Sequence, residues 1–259
     1  MSTQITTELI KELRDSTGIS VMQCKNALIE ADGDIKKAVA ILKKTSSDIA
    51  LKKADRNAKD GAVIVKSSDT KIVVVSLHCE TDFVSRNEDF TSLLSKLSDI
   101  AFTNGIDKMK KTAKEMIDPV IQKTGENIQL GETFQVEGNI LGSYVHNNKS
   151  AVVVSLEGGN SELAKDIAMH ITAMKPEYLS REDITEDIKK TMLEIFQKEI
   201  EGINKPEEIK KKMLDGKIGT YFKEKTLIDQ PFIKNSDETI GQLLEKSKAK
   251  IKEIKRYSI

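Results

Sequence analysis

The chain has 259 residues, 38% hydrophobic and 32% charged, with no Trp and with 41 basic side chains balancing 41 acidic ones. Zero net charge supplies no global field toward nucleic acid or an anionic membrane, and the longest apolar runs, 72–75 and 151–154, are strand-sized and far short of a membrane span. Two cysteines, Cys24 and Cys79, make neither a disulfide framework nor a metal site alone, and the N-terminus lacks the basic-then-apolar pattern of a secretory signal. The expectation is a cytoplasmic, helix-rich protein with reduced thiols and two or three small cores.

Residues 5–44 read as three short helices. Ile5, Leu9, Ile10 and Leu13 form one apolar face, and Thr17-Gly18 ends it. Ser20 is an N-cap candidate before Val21, Met22, Cys24, Ala27 and Leu28. Asp32-Gly33-Asp34 turns the chain into a third face of Ile35, Ala38, Val39 and Leu42. A polar stretch over 43–60 follows, helical over part of its length. Strand signals at 62–66 and 71–78 flank a Ser67-Ser68-Asp69 turn, and helical segments cover roughly 88–103 and 109–124. Further strands are read near 133–136, 140–146 and 151–156, all assigned to a second unit, with Asn147-Asn148-Lys149 as a turn. A helix over about 161–174 stops at Lys175-Pro176. Thin apolar stripes over 181–224, broken at Asn204-Lys205-Pro206, fit an antiparallel helical hairpin whose final turns Gly216 and Gly219 weaken. The tail from 226 reads as a strand near 231–233 and a closing helix after Glu238.

Two stretches, 61–102 and 138–174, look like copies of one unit. Each opens on a glycine, Gly61 or Gly138, and each carries the string VVVSL, at 73–77 and 152–156. The helices share a spacing, with Leu93, Leu97 and Ala101 against Leu163, Ile167 and Ile171. Leu77 to Leu93 spans 16 positions where Leu156 to Leu163 spans 7, so the first copy holds nine extra residues around 79–87. Duplication explains strands and helices but not this surplus, and loops held out by a rigid scaffold are where binding function concentrates.

Catalytic signals are scarce. No glycine-rich phosphate loop, Cys-x-x-Cys or His-Glu-x-x-His is present, and His78, His146 and His170 have no metal-ligand spacing. His170 reads as structural; His146, before a hairpin turn, is open to either a surface or a contact role. Cys79 beside Glu80 lacks a base to activate it and reads as a plain thiol. No cofactor and no metal are expected. Asp82-Phe83 stands out, because no alternation buries Phe83. It either folds back on its own sheet or is a rigid aromatic offered to a partner beside a carboxylate that competes for a cation.

Thr81-Asp82-Phe83-Val84 after a Val-rich strand resembles the signature of the bacterial elongation factor Ts family. So do Leu9-Ile10-Lys11-Glu12-Leu13-Arg14, Met22-Gln23-Cys24-Lys25-Asn26-Ala27-Leu28, Gly125-Glu126-Asn127-Ile128, Leu141-Gly142-Ser143-Tyr144-Val145-His146, Ile167-Ala168-Met169-His170-Ile171 and Gln230-Pro231-Phe232. The matches run in order over nearly the whole chain. The resemblance implies an α+β fold with an N-terminal three-helix, UBA-like bundle, a duplicated sheet-plus-helix core and a protruding helical hairpin. It divides the chain into a docking domain and linker at 1–55, a core N-subdomain with the signature loop at 56–137, a core C-subdomain at 138–180 and 225–259, and the hairpin at 181–224. It also implies a guanine-nucleotide exchange factor, not an enzyme, that acts on GDP-bound and nucleotide-free elongation factor Tu and itself binds no nucleotide, nucleic acid or membrane. Carried over, Asp82 and Phe83 push into the partner's G domain and disturb its magnesium site, with Thr81 and Val84 shaping the loop. Val21, Met22 and Lys25 match positions that contact the G domain, and Gly125, His146 and Ile233 match core positions against the partner. Thr124 replaces an apolar residue of the family pattern. The sequence stops at Ile259, so the further C-terminal helix frequent in the family is not expected. The competing readings are a non-catalytic adaptor docking through bundle and hairpin, an RNA-binding translation protein suggested by the lysines over 246–256, and a small-molecule enzyme.

Overall fold

The computed structural model describes residues 5–259; residues 1–4, counted above with the docking domain, lie outside the described residues. The architecture is α+β, in two compact units. The first runs up to Val136 and adds Val145–Ala151 and Tyr257–Ile259; the second holds Glu137–Tyr144 and Val152–Arg256.

The first unit opens with α1 (Thr7–Thr17), α2 (Val21–Glu30) and α3 (Ile35–Lys53). The sequence writes their starts: the side chains of Thr6, Ser20 and Asp34 accept from the backbone N–H of Leu9, Gln23 and Lys37, satisfying donors that a helix start leaves unpaired. Leu13, Cys24, Leu28, Ala38 and Leu42 close a small core of their own. The polar stretch expected to be partly helical is the continuation of α3 through Lys53, with Ser46 and Ala50 buried along it.

β1 (Asp60–Ser67) and β2 (Lys71–Cys79) pair antiparallel from Asp60↔Cys79 to Ser67↔Ile72. A Cβ on Gly61 would come 2.1 Å from the Leu77 carbonyl oxygen, so the glycine that opens the repeat is required by this close approach. A single helical turn, α4 (Asp82–Ser85), leads into α5 (Glu88–Asn104) and α6 (Ile106–Thr124). β3 (Gln129–Glu137) completes a sheet of order β1-β2-β3. This corrects the sequence reading, which gave the strand near 133–136 to the second unit. Proximity in sequence suggested the wrong neighbour, because β3 returns across α5 and α6 to pair with β2.

The second unit holds most of β4 (Ile140–His146), β5 (Ser150–Glu157) and β8 (Lys250–Ser258), whose ends at 145–146, 150–151 and 257–258 belong to the first, together with α7 (Ser161–Met174), the hairpin helices α8 (Glu186–Glu201) and α9 (Glu207–Lys225), β6 (Pro231–Phe232), β7 (Asn235–Thr239) and α10 (Ile240–Lys246). Asn147 and Asn148, both at positive φ, make the two-residue turn between β4 and β5, the conformation Asn tolerates best after Gly. The sheet order is β4-β5-β8, so β2 and β5, the VVVSL strands, are each the centre of a three-stranded sheet. Successive residues of both strands are buried, so both of their faces are covered, which is why their sequences are runs of valine rather than an alternation. The closing helix expected after Glu238 is α10, and β8 follows it as a strand that the sequence reading did not include. In the hairpin, the Phe196 and Tyr221 rings meet edge-on at 5.6 Å and Lys217 pairs with Glu199 at 2.6 Å.

Candidate functional site

The nine surplus residues of the first repeat are built around the single turn α4 and do not form an open loop. Past Cys79 the β1–β2 ladder ends. Thr81 then caps α4 by accepting from the Val84 N–H at 3.4 Å, and Asn87 caps α5 by accepting from Asp89 at 2.8 Å. Two caps six positions apart leave room for one turn. Its pitch sends Val84 and Ser85 inward, Val84 against the helical core and Ser85 to 5% exposure. Phe83, one step earlier, is left 83% exposed. The ring does not fold back onto its sheet. Asp82 keeps a half-exposed carboxylate, 3.3 Å from the Arg86 guanidinium.

Side chains distant in sequence fix this turn. The Glu126 carboxylate accepts from the N–H groups of Glu80 and Thr81 at 3.1 and 3.0 Å, and from the Thr81 hydroxyl at 2.6 Å. At the other end Lys149 donates to the Ser85 hydroxyl at 3.3 Å while bound to the Asp60 carboxylate and the Gly61 carbonyl, each at 2.5 Å. Burial opposes ionisation of Asp60, but hydrogen bonds from Lys149, the Gly61 N–H and Ser85 outweigh it and lower its pKa. The Cys79 thiol is buried and donates to the Thr81 carbonyl at 3.1 Å. Burial, reinforced by the charges of Asp60 and Glu126, pushes that thiol up to about 12, so it is neither a nucleophile nor a thiolate ligand.

The other positions singled out in the sequence are distributed as follows. Gly125 ends α6 in the left-handed conformation at φ 76, and its carbonyl accepts from Lys53; it immediately precedes Glu126 and so sits beside the turn. His146 is exposed at the β4–β5 tip, its Nε2 3.2 Å from Asn147 Nδ2, three positions before Lys149. Val21, Met22 and Lys25 lie on the exposed side of α2, opposite Cys24 and Leu28, with Met22 65% exposed. All of these belong to the first unit. Ile233 belongs to the second, in the turn between β6 and β7. His170 is buried against Gln230, a structural histidine as expected. Among the described residues, no group of three His, Cys, Asp or Glu side chains could hold a metal ion, and no helix is long and apolar enough to cross a membrane.

The family model described as Elongation factor TS matches residues 80–259, beginning at the foot of this turn. A protein of Hahella chejuensis named elongation factor Ts is 40% identical over 262 residues, covering 98% of this chain and 92% of the relative. One of the same name from Alcanivorax borkumensis is 37% identical over 264 residues, with 97% and 93% covered. The chain belongs to the elongation factor Ts family. It is thus a member of a family of translation elongation factors. In this member of the elongation factor Ts family, sequence reading picked out the signature turn but missed Glu126 and Lys149 as its supports. Glu126 lies inside a quoted motif, yet nothing in that motif says its carboxylate reaches 45 positions back to Thr81.

Proposed function

We propose that the chain binds elongation factor Tu, in its GDP-bound and nucleotide-free forms, and promotes GDP release by inserting Asp82 and Phe83 into the G domain. The observation that carries this reading is the nearly complete exposure of Phe83 on a doubly capped turn. An exchange factor must bind the strained or empty state of its partner better than the loaded one. Accelerating release ~10³-fold requires about 4 kcal/mol of that difference, and burying one Phe side chain contributes roughly 2–3 kcal/mol. Asp82 supplies the rest of the perturbation: leaving Arg86, its carboxylate competes with the ligands of the partner's magnesium ion. Thr81 and Val84 shape the turn. Val21, Met22 and Lys25 dock on the G domain, and Gly125, His146 and Ile233 add contacts. The chain makes and breaks no covalent bond in this role, and the work of elongation places it in the cytoplasm. The division into docking domain (1–55), core subdomains (56–137 and 138–180 with 225–259) and hairpin (181–224) is part of the same proposal.

The test follows release of a fluorescent GDP from elongation factor Tu with substoichiometric protein. Wild type accelerates release, and Phe83→Ala lowers the maximal rate by about the factor that loss of 2–3 kcal/mol implies, some 30- to 150-fold. Release at the spontaneous rate with wild type would sink the exchange reading and favour a non-catalytic adaptor.

A further inference from the structure

We propose that Glu126 is a positioning residue for exchange: its carboxylate holds the Asp82-Phe83 turn in the inserting geometry before any partner arrives. This rests on the exchange reading above. A four-residue helix cannot hold itself, since helix nucleation is unfavourable and short helices are marginal without outside support. The first support is Glu126, whose two oxygens take three hydrogen bonds from consecutive residues, two from backbone N–H groups beyond the last ladder pair and one from the Thr81 hydroxyl.

The hydroxyl bond is the one with consequences for α4. Thr81 Oγ1 has one proton and two lone pairs. Donating the proton to Glu126 aims a lone pair at the Val84 N–H, the bond that starts the turn. Glu126 therefore sets the rotor of the cap as well as the path of the chain. It is itself held, because Glu80 returns the interaction by accepting from the Asn127 N–H at 2.7 Å, and Asn127, 2% exposed, donates to the carbonyls of Ala54 and Arg56 at 3.3 and 2.7 Å. Arg56 closes the circuit 3.6 Å from Glu80. Hydrogen bonds to ionised carboxylates are about twice as strong as neutral ones. Fixing the turn in the free protein removes an ordering cost that would otherwise fall on the inserted state.

The consequence is a split in kinetic effect. Glu126 is part of the turn's support and not of the α2 docking face, so Glu126→Ala should lower the maximal rate of GDP release about ten-fold, the loss expected when a charge-assisted hydrogen bond that orders a reacting group disappears. The concentration of elongation factor Tu at half-maximal rate should change less than two-fold, because docking does not pass through this carboxylate. Glu126→Gln, which keeps an acceptor oxygen for the backbone donors but turns an amide N–H toward the Thr81 hydroxyl, should recover only part of the loss.

The deciding experiment is a double-mutant cycle with Phe83→Ala, read by release of fluorescent GDP from elongation factor Tu. If Glu126 acts through Phe83, then Glu126→Ala in the Phe83→Ala background costs less than two-fold, and the effects do not add. The same ten-fold cost in both backgrounds, or a rise in half-saturating concentration alone, overturns the proposal. Wild-type release by Glu126→Ala while Phe83→Ala is impaired overturns it and leaves the exchange reading standing. An inert Phe83→Ala removes both. Should circular dichroism show Glu126→Ala unfolded, the cycle is run with Glu126→Gln, and additivity there is equally fatal.

Discussion

His170 is fully buried on α7, its Nε2 2.9 Å from Gln230 Oε1 and its Nδ1 3.2 Å from the backbone nitrogen of Ile233. A backbone N–H can only donate, so Nδ1 is the bare acceptor and the single proton resides on Nε2, donating to Gln230. Gln230 is oriented in turn, since its amide group donates to the Glu224 carbonyl at 2.5 Å. Burial lowers the His170 pKa from 6.5, and the Gln230 acceptor restores only part of that. The folded state thus binds its second proton less readily than the unfolded chain. The stabilisation is fully present above the unfolded value of about 6.5 and is lost as pH falls through the folded pKa. The melting temperature of wild type should therefore drop more between pH 8 and 5 than that of His170→Gln, which cannot titrate. Parallel pH profiles would show that the histidine is not linked to folding. The same protonation would remove the acceptor of the Ile233 N–H, so this buried side chain also fixes the backbone of an exposed candidate contact.

Elements differ in how far the sequence determines them. α9 carries Gly216 and Gly219 in its interior, yet continues through both to Lys225. A Cβ at either position would meet nothing within 4 Å, so neither glycine serves close packing, and each costs the helix about 0.5–1 kcal/mol relative to Ala. Gly216→Ala and Gly219→Ala should each raise the unfolding free energy read from urea titration by that increment without changing GDP release; a loss of stability would reveal a packing role. The helices were legible because caps such as Ser20 and Asp34 and recurring apolar faces are local signals. The central strands β2 and β5 were legible for the opposite reason, as valine runs with no alternation. β8 was not. Ile251, Ile254 and Tyr257 recur every third residue among lysines, which mimics a helix, whereas the strand lies at the edge of its sheet, where charged side chains face water and block further pairing. α4 was missed because four residues are too few for a period. Its supports were missed because a carboxylate 45 positions away leaves no trace in either local pattern.

At the scale of the molecule, zero net charge leaves recognition to particular side chains rather than to a field. Every candidate contact except Ile233 lies in the first unit, but on elements of different character. α2 presents Val21 and Met22 from a helix whose opposite side is packed into its own small core. In the proposed role such contacts would bind loaded and empty partner alike, and uniform binding improves capture without accelerating release. In the proposed exchange, Phe83 is of the other kind, useful only where the partner has opened to receive it. Met22→Ala, a truncation at an exposed site that should cost the fold no more than about 0.5 kcal/mol, is thus expected to raise the half-saturating concentration of elongation factor Tu several-fold at an unchanged maximal rate. Phe83→Ala is expected to do the reverse. Steady-state titration of GDP release separates the two parameters. A fall in maximal rate with Met22→Ala would mean that docking and insertion are one event, and that the three-helix bundle takes part in opening the G domain.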